Sequence, residues 1–487
     1  MSERAAIQVD VATVVRDTER RVIGINTNFM TDHEVIRQAG QGYESALRQM
    51  GVHSLRYPGG EKSDEYFWSA PPWTSPQPML ALTGPQGRLS PMVDYVVEFT
   101  TFRYKPLDFD EFIGLCQRLD AEPIVCVNFD SMYLSSASGK GTPPTKAQLL
   151  EHAVEWVRYA NVVRGYGVRY WELGNESYLR GGNGSAKAAD YARDFVEFAW
   201  AMQEVDPTIQ IGANGPAHKD DVAWKDGEDG PIWWQTVIET AGPEIGFLAV
   251  HPYPCWMWGS YDYYIAHNEN LARPVDEACA ALEAWARRED AERIRVFSTE
   301  TNAADWAASP QHYPDLEGWP LVNDLGHALV LFDILGQHLL HPKVDMAEVW
   351  NTRWVHPERK ELWNALDENN ELNATGMAIA MWGQHLKAGM VAATGTDTIR
   401  AFASHDPETH ELAVFLINKE RTPQEVSLAL QHYLPAWRGA RYLLTGNGSE
   451  DQAPTMEQAE KLSGEGPLLR LTLEPLSVSA VELRPTS

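Results

Sequence analysis

The chain has 487 residues, of which 44% are hydrophobic and 22% charged, so it can bury a sizeable core and is not predominantly disordered. Forty Lys and Arg stand against 68 Asp and Glu, a net charge of −28. That field repels polyphosphate and anionic lipid, which sets nucleic-acid and membrane-surface roles aside.

A β-branched run between Ile7 and Val15 comes first. Eight strand-like segments follow: Arg21–Asn28, His53–Gly60, Glu122–Phe129, Val168–Glu176, Ile209–Pro216, Gly246–Pro254, Arg293–Thr301 and Met346–Trp354. Between them, apolar residues recur at helical spacing, as in Phe109-Phe112-Ile113-Cys116 and Ala153-Trp156-Val157-Ala160. Asp108 and Thr145 precede two of these stretches as N-caps. Eight β/α alternations predict an α/β fold, a closed (β/α)8 TIM barrel over residues 21–388. An open doubly wound sheet is the competing architecture, but there is no Gly-x-Gly-x-x-Gly after the first strand and no Walker A sequence. Beyond residue 388 the texture changes to short strands: Ile399–Ser404, Glu411–Asn418, Glu425–Leu430, Ala440–Thr445, Leu468–Leu473 and Val478–Leu483. They predict a C-terminal antiparallel β-sandwich that also takes the N-terminal strand, an accessory domain of residues 1–20 plus 389–487.

Four cysteines (Cys116, Cys126, Cys255, Cys279) without a Cys-x-x-Cys pair do not make a disulfide scaffold. No basic-then-apolar leader opens the sequence, and no apolar run approaches the roughly 18 residues of a membrane span. The expectation is a soluble cytoplasmic protein with reduced thiols.

Active sites of such barrels lie at the C-terminal strand ends. Those ends read Asn26–Asn28, Arg56–Glu61, Asn128, Gly174-Asn175-Glu176, Asn214, His251–Pro254, Thr299-Glu300 and Trp350–Trp354. Two carboxylates dominate, Glu176 after strand four and Glu300 after strand seven. Across one mouth they could converge to about 4.5–6 Å, the spacing at which one carboxyl protonates a leaving oxygen and the other attacks an anomeric carbon. The alternative for a single such Glu is a cap or an ion pair. No His-Glu-x-x-His, no Cys/His cluster at zinc spacing and no Gly-x-Ser-x-Gly elbow occurs, so neither metal nor cofactor is implied.

Gly174-Asn175-Glu176 and Thr299-Glu300, on strands four and seven, resemble the motifs of the clan A glycoside hydrolases. The resemblance implies Glu176 as acid/base and Glu300 as nucleophile. Within the clan, Leu55-Arg56-Tyr57-Pro58-Gly59-Gly60, His251-Pro252-Tyr253 and the barrel-plus-sandwich plan are most similar to the family 51 α-L-arabinofuranosidases. Two positions depart from that family: Glu61 stands where Asn usually follows Pro-Gly-Gly, and Asn28 lies in a stretch that usually carries a sugar-binding Glu.

Chemistry suggests further substrate-binding residues. Asn175 can bond a sugar 2-hydroxyl, Tyr253 and Arg56 can steady the nucleophile, and His251 can orient the acid. Against these stand a core Tyr, a structural Arg–carboxylate pair and a loop His. Glu61, Asn28 and Asn128 sit at strand ends where hydroxyl contacts are made. Sugars stack on aromatic rings, and 17 of 18 tryptophans precede residue 388. Trp350 or Trp354, and Trp256 and Trp258, are candidates to stack; Trp156, Trp200 and Trp285, in helical patterns, are expected in the core. The function expected is retaining glycoside hydrolysis of an oligosaccharide or polysaccharide side chain, with homo-oligomerisation left open. Alternatives are a β-glucuronidase-like, β-xylosidase- or β-glucosidase-like enzyme, an endoglucanase, or a non-catalytic carbohydrate-binding barrel. A uronide reading needs a basic residue at the mouth, for which Lys62, Arg180 and Arg353 are candidates.

Overall fold

The computed structural model describes residues 5–18, 22–33, 40–80, 95–96, 103–133, 143–179, 186–218, 232–255, 258–304, 319, 323–353 and 364–486. The strands of its two large sheets are numbered here in chain order, from β1 (Ala5–Asp17). Eight parallel strands close a barrel: β2 (Ile23–Asn26), β3 (Ser54–Tyr57), β4 (Glu122–Val127), β5 (Tyr170–Leu173), β6 (Gln210–Asn214), β7 (Ile245–Val250), β8 (Arg295–Thr301) and β9 (Val344–Val349), which pairs back onto β2. All eight overlap the segments expected from sequence. Most end earlier than expected, because their polar tails, such as Gly174-Asn175-Glu176, leave the ladder at the mouth.

Helices follow the strands: α1 (Tyr43–Met50), α2 (Phe109–Leu119), α3 (Lys146–Val157), α4 (Ala188–Val205), α5 (Trp233–Ala241), α6 (Tyr261–Ala266), α7 (Arg273–Trp285), α8 (Arg288–Arg293), α9 (Leu325–Leu340) and α10 (Ala374–Gly383). Asp108 and Thr145 form full capping boxes with Glu111 and Gln148, satisfying donors that the first helical turn leaves open. Buried residues of α2 fall at Phe109, Phe112, Ile113 and Cys116, the periodicity read from the sequence. Trp156 is fully buried, but Trp200 is 59% exposed and donates its indole N–H to Glu244. The expectation of a core role for Trp200 is corrected: it lies on the outer side of α4, at a helix–solvent boundary.

The barrel interior is layered. Its lower layer is apolar: Ile124, Tyr170, Phe247, Phe297 and Met346 pack together, with Phe247 and Phe297 stacked at 4.1 Å. Above it the inward positions turn polar, with Asn26, Ser54, Arg56, Glu172 and Glu348 all fully buried. Ser54 donates to Glu348 Oε1 at 2.5 Å, and burial pushes the Glu348 carboxyl up to about 8. The polar layer is what the barrel presents to the site above it.

The second sheet has nine strands in the order β15-β14-β17-β12-β11-β10-β1-β13-β16. Its members after β1 are β10 (Gly389–Thr394), β11 (Ile399–His405), β12 (Leu412–Asn418), β13 (Gln424–Gln431), β14 (Ala436–Thr445), β15 (Thr455–Glu465), β16 (Leu468–Leu473) and β17 (Ser477–Pro485). The sheet is mostly antiparallel; β1 is the exception, antiparallel to β10 but parallel to β13. Alternation gives β12 two buried faces. Leu412, Val414 and Leu416 join the sheet's own core with Ile7, Val9 and Leu471, whereas Ala413, Phe415 and Ile417 belong to the barrel's core. There Phe415 meets Trp382 of α10 and Phe332 of α9 at ring distances of 4.2 and 6.0 Å. Trp437, alone among the tryptophans in this sheet, is buried in its core. No helix of the described residues is long and apolar enough to cross a membrane.

Candidate active site

Glu176 and Glu300 meet at the mouth. One oxygen of each carboxylate and Nδ1 of His251 all lie within 4.8 Å of one another. The surroundings of the two acids differ. Glu300 is buried, and both its oxygens are engaged: Arg56 Nη1 donates to Oε1 at 3.0 Å and the Tyr253 hydroxyl donates to Oε2 at 3.0 Å. Glu176 is half-buried, with Oε1 2.9 Å from His251 Nδ1. Burial raises the Glu300 carboxyl above its usual value, against the pull of His251, Arg56 and the Tyr253 hydroxyl. Burial likewise opposes charge on His251, but Glu300 and Glu176 outweigh it and raise the imidazole.

Local chain geometry sets this up. At the end of β5, Gly174 has φ +79° and Glu176 itself has φ +53°, so the acid sits on a left-handed corner that presents its side chain to the mouth. Beneath that corner, Asp130 Oδ2 accepts the backbone N–H of Asn175 at 2.8 Å. A Cβ on Gly174 would lie 2.4 Å from the same oxygen, so only glycine lets the carboxylate in. Gly60, with φ +27°, plays the matching part after β3: a Cβ there would lie 2.4 Å from the Trp350 ring and 3.0 Å from Glu300 Oε1.

Several expected residues are placed differently from one another. Arg56 is fully buried and its donors are all committed: Nε and Nη2 to Glu172 at 2.8 and 3.1 Å, Nη1 to Asn26 and Glu300, Nη2 to Asn175 Oδ1 at 2.9 Å. The expectation that Arg56 binds substrate is therefore corrected: it lies under the carboxylates, where it steadies Glu300 and orients the Asn175 amide. Asn28 is half-buried and its Oδ1 accepts from the Met30 N–H, making a local turn. Asn128 is buried, its Oδ1 accepting from Ser131 while its Nδ2 has no partner among the described residues. Glu61 is exposed on the turn after Gly60. Trp350 borders the nucleophile across Gly60. Trp258 stacks on Tyr263 and Tyr264, so its ring is used in packing. Trp256, Trp354 and Arg180 lie outside the described residues.

Asn26 was read only as part of the Asn26–Asn28 strand end, and Glu172, Asp64 and Asp130 were not anticipated. Glu172 had a signal: an acid at an inward position of a buried strand, Tyr170-Trp171-Glu172-Leu173, needs a partner, and Arg56 on a barrel strand supplies it. Glu176, His251 and Glu300 together offer three ligand atoms to a cation. Any such ion would compete for Glu300 with Arg56 and Tyr253, so the set suits proton transfer better than coordination.

A closed eight-stranded barrel carrying this pair on its fourth and seventh strands, with a separate sheet packed on its flank, has the fold of the clan A glycoside hydrolases. Residues 46–240 match the family model of the alpha-L-arabinofuranosidase 1 domain. Alpha-L-arabinofuranosidase C of Emericella nidulans is 27% identical over 247 residues, 46% of this chain and 40% of that protein. An intracellular exo-alpha-(1->5)-L-arabinofuranosidase of Acetivibrio thermocellus is 23% identical over 214 residues, 42% of this chain and 37% of its own length. These alignments thus span less than half of either relative. The structure of the α-L-arabinofuranosidase of Thermotoga maritima in complex with arabinose superposes with a TM-score of 0.70 at 20% identity, covering 99% of this chain and all of the other. In sequence and fold, then, the chain resembles the family 51 α-L-arabinofuranosidases.

Proposed function

We propose that the chain is a retaining glycoside hydrolase of the α-L-arabinofuranosidase type. The observation that carries this reading is the asymmetric carboxyl pair. One acid, Glu300, has two donors fixed on its oxygens and a third group, His251 Nδ1, at 3.6 Å. The other, Glu176, is half-exposed, where a leaving group can reach it. Those donors fix the Glu300 oxygens in place for attack, whereas Glu176 is open to a leaving group, so Glu300 is the nucleophile and Glu176 the proton carrier.

In the first step a Glu300 oxygen attacks the anomeric carbon as the C–O bond to the leaving group breaks and Glu176 protonates the departing oxygen. In the second, Glu176 takes a proton from water, whose oxygen attacks the same carbon and displaces Glu300. Tyr253 and Arg56 stabilise the carboxylate before attack and as it leaves. His251 holds Glu176 toward the scissile oxygen. Trp350 offers a ring face beside the nucleophile.

The uronide reading loses support. Arg353 is buried and consumed by Asp32 at 3.0 Å, the Asp367 carbonyl and Asn370 Oδ1. A neutral sugar suits the acidic mouth better. The names of intracellular bacterial relatives favour a cytoplasmic location. A panel of nitrophenyl glycosides that includes furanosides, pyranosides and uronides tests the reading, with the anomer of the first product followed by proton NMR. Retention on an α-L-arabinofuranoside is expected; inversion, or no cleavage across the panel, would overturn it.

A further inference from the structure

The seam where the barrel closes, β9 on β2, is held at the mouth by side chains. The ladder pairs Ala347 with Ile23, Glu348 with Gly24 and Val349 with Ile25, and one further backbone bond runs from the Thr352 N–H to the Asn26 carbonyl at 3.1 Å. Beyond it a buried acid bridges the two segments. Asp32 is 0% exposed and lies on a turn closed on itself: its N–H donates to the Asn28 carbonyl at 3.0 Å, and its Oδ2 accepts the Asn28 N–H at 2.7 Å. The same oxygen accepts the hydroxyls of Tyr43, at 3.2 Å, and of Thr352, while Oδ1 accepts Arg353 Nη1 at 3.0 Å. Tyr43 opens α1, and Asn370, the side-chain partner of Arg353, donates its amide to the Gln41 carbonyl just before that helix at 2.8 Å. Both members of the ion pair are thus fastened to the start of one helix, and breaking the pair would leave a buried charge uncompensated.

What this bridge holds is the segment after β9. Trp350, two residues before Thr352, has its ring against Gly60, where a Cβ would lie 2.4 Å from the ring and 3.0 Å from Glu300 Oε1. On the nucleophile's side Trp350 is tied to the end of β8: its N–H donates to the Thr301 carbonyl at 2.9 Å, and its carbonyl accepts the Asn302 amide. On the other side the ties are those of Asp32 to Thr352 and Arg353. The turn that carries Asp32 is also bonded to the turn that carries Gly60, through the Phe29 N–H and the Pro58 carbonyl at 2.9 Å. Ring and glycine are therefore both tied to one buried acid.

We propose that Asp32 is a positioning residue for the glycosidase reaction: through Thr352 and Arg353 it fixes the Trp350 ring as the wall of the sugar pocket beside Glu300. The proposal rests on Glu300 being the nucleophile of the reaction above. Asp32→Asn keeps the shape and unpairs Arg353. Thr352→Val removes a single hydroxyl, keeps the ion pair whole, and serves if Asp32→Asn does not fold.

A double-variant cycle separates this role from a contribution to folding alone. On the glycoside that wild type cleaves best, kcat/KM should fall about 10–100-fold in Asp32→Asn and about three- to tenfold in Thr352→Val. In a Trp350→Ala background the same changes should each cost less than about twofold, because the group they position is gone. Costs that add in full in that background overturn the positioning role. Hydrogen exchange, followed by mass spectrometry on peptides spanning residues 350–353, needs no substrate. Exchange there should rise about tenfold in Asp32→Asn or Thr352→Val, well below each variant's Tm. Exchange equal to wild type overturns the clamp itself. A wild type that cleaves no glycoside overturns the reaction above, and the exchange arm still decides the clamp.

Discussion

Arg56 and Glu300 form a buried ion pair, Nη1 to Oε1 at 3.0 Å, while the other edge of the same guanidinium is clamped to Glu172. One side chain thus serves both the barrel's interior and its reacting carboxylate. A lysine at 56 can satisfy one partner and not both. Arg56→Lys should lower kcat by about 10²–10³-fold through loss of a donor aimed at the nucleophile. It should also lower stability by about 3–5 kcal/mol, because Glu172 is left buried and unpaired. The double variant with Glu172→Gln should regain most of that stability and little of the rate; chemical denaturation and steady-state kinetics on the same samples check both.

Kinetics separate the two carboxylates. Glu300→Ala removes the nucleophile, so no glycosyl-enzyme forms whatever the leaving group. Glu176→Ala should still be glycosylated by an aryl glycoside with a good leaving group, then stall for want of a base, and be rescued by azide with retained configuration. Azide acting on Glu300→Ala should give the opposite anomer. The same azide anomer from both variants would falsify the assignment.

Gly60 tests how tightly Trp350 and the nucleophile are held. Its φ of +27° and the 2.4 Å approach of the Trp350 ring leave no room for a methyl group. Gly60→Ala should cost about 1–3 kcal/mol in stability through overpacking. It should lower kcat by about 10–100-fold, because the group displaced lies beside Glu300. Wild-type kinetics in a folded variant would show that the Trp350 ring yields freely.

Glu348 gives a pH-dependence of stability away from the reacting groups. Its carboxyl, raised to about 8 by burial, is protonated in the fold at pH values where it ionises in the unfolded chain. A raised folded value means stability is fully present below about pH 4.5 and lost as pH climbs through about 8. Glu348→Gln keeps the shape and removes the proton, so above about pH 8 it should exceed wild type by roughly 3–5 kcal/mol. Equal pH-dependence of Tm in the two proteins would place the proton elsewhere.

The barrel was legible because its strands are short apolar runs broken by helices with clean periodicity, and caps such as Asp108 and Thr145 mark the starts. Two sheet strands escaped notice for opposite reasons. Thr455–Glu465 is an edge strand, mostly exposed and rich in charge, so no apolar alternation marks it. Gly389–Thr394 is a run of small residues at the junction of barrel and sheet. Strand-end residues pointed to Glu176, Glu300, Tyr253 and His251, since polar groups there have few other reasons to be present. What lay beneath them was harder to read. Arg56 was expected to steady Glu300, but its second partner, Glu172 on the neighbouring strand pair, was not, and Asp64 and Asp130 come from different turns, brought together by the closure of β3 onto β4.

The interior position of β1, paired on both sides within its sheet, has a mechanical consequence. Its two neighbours in the sheet, β10 and β13, come from the far side of the barrel in sequence, and the barrel's first strand likewise pairs with its last. The chain is therefore buckled twice, once through each sheet. A protease that nicks a loop between β3 and β8 makes two pieces that still interlock at both buckles, so a clipped molecule keeps its shape and behaves in solution as one particle.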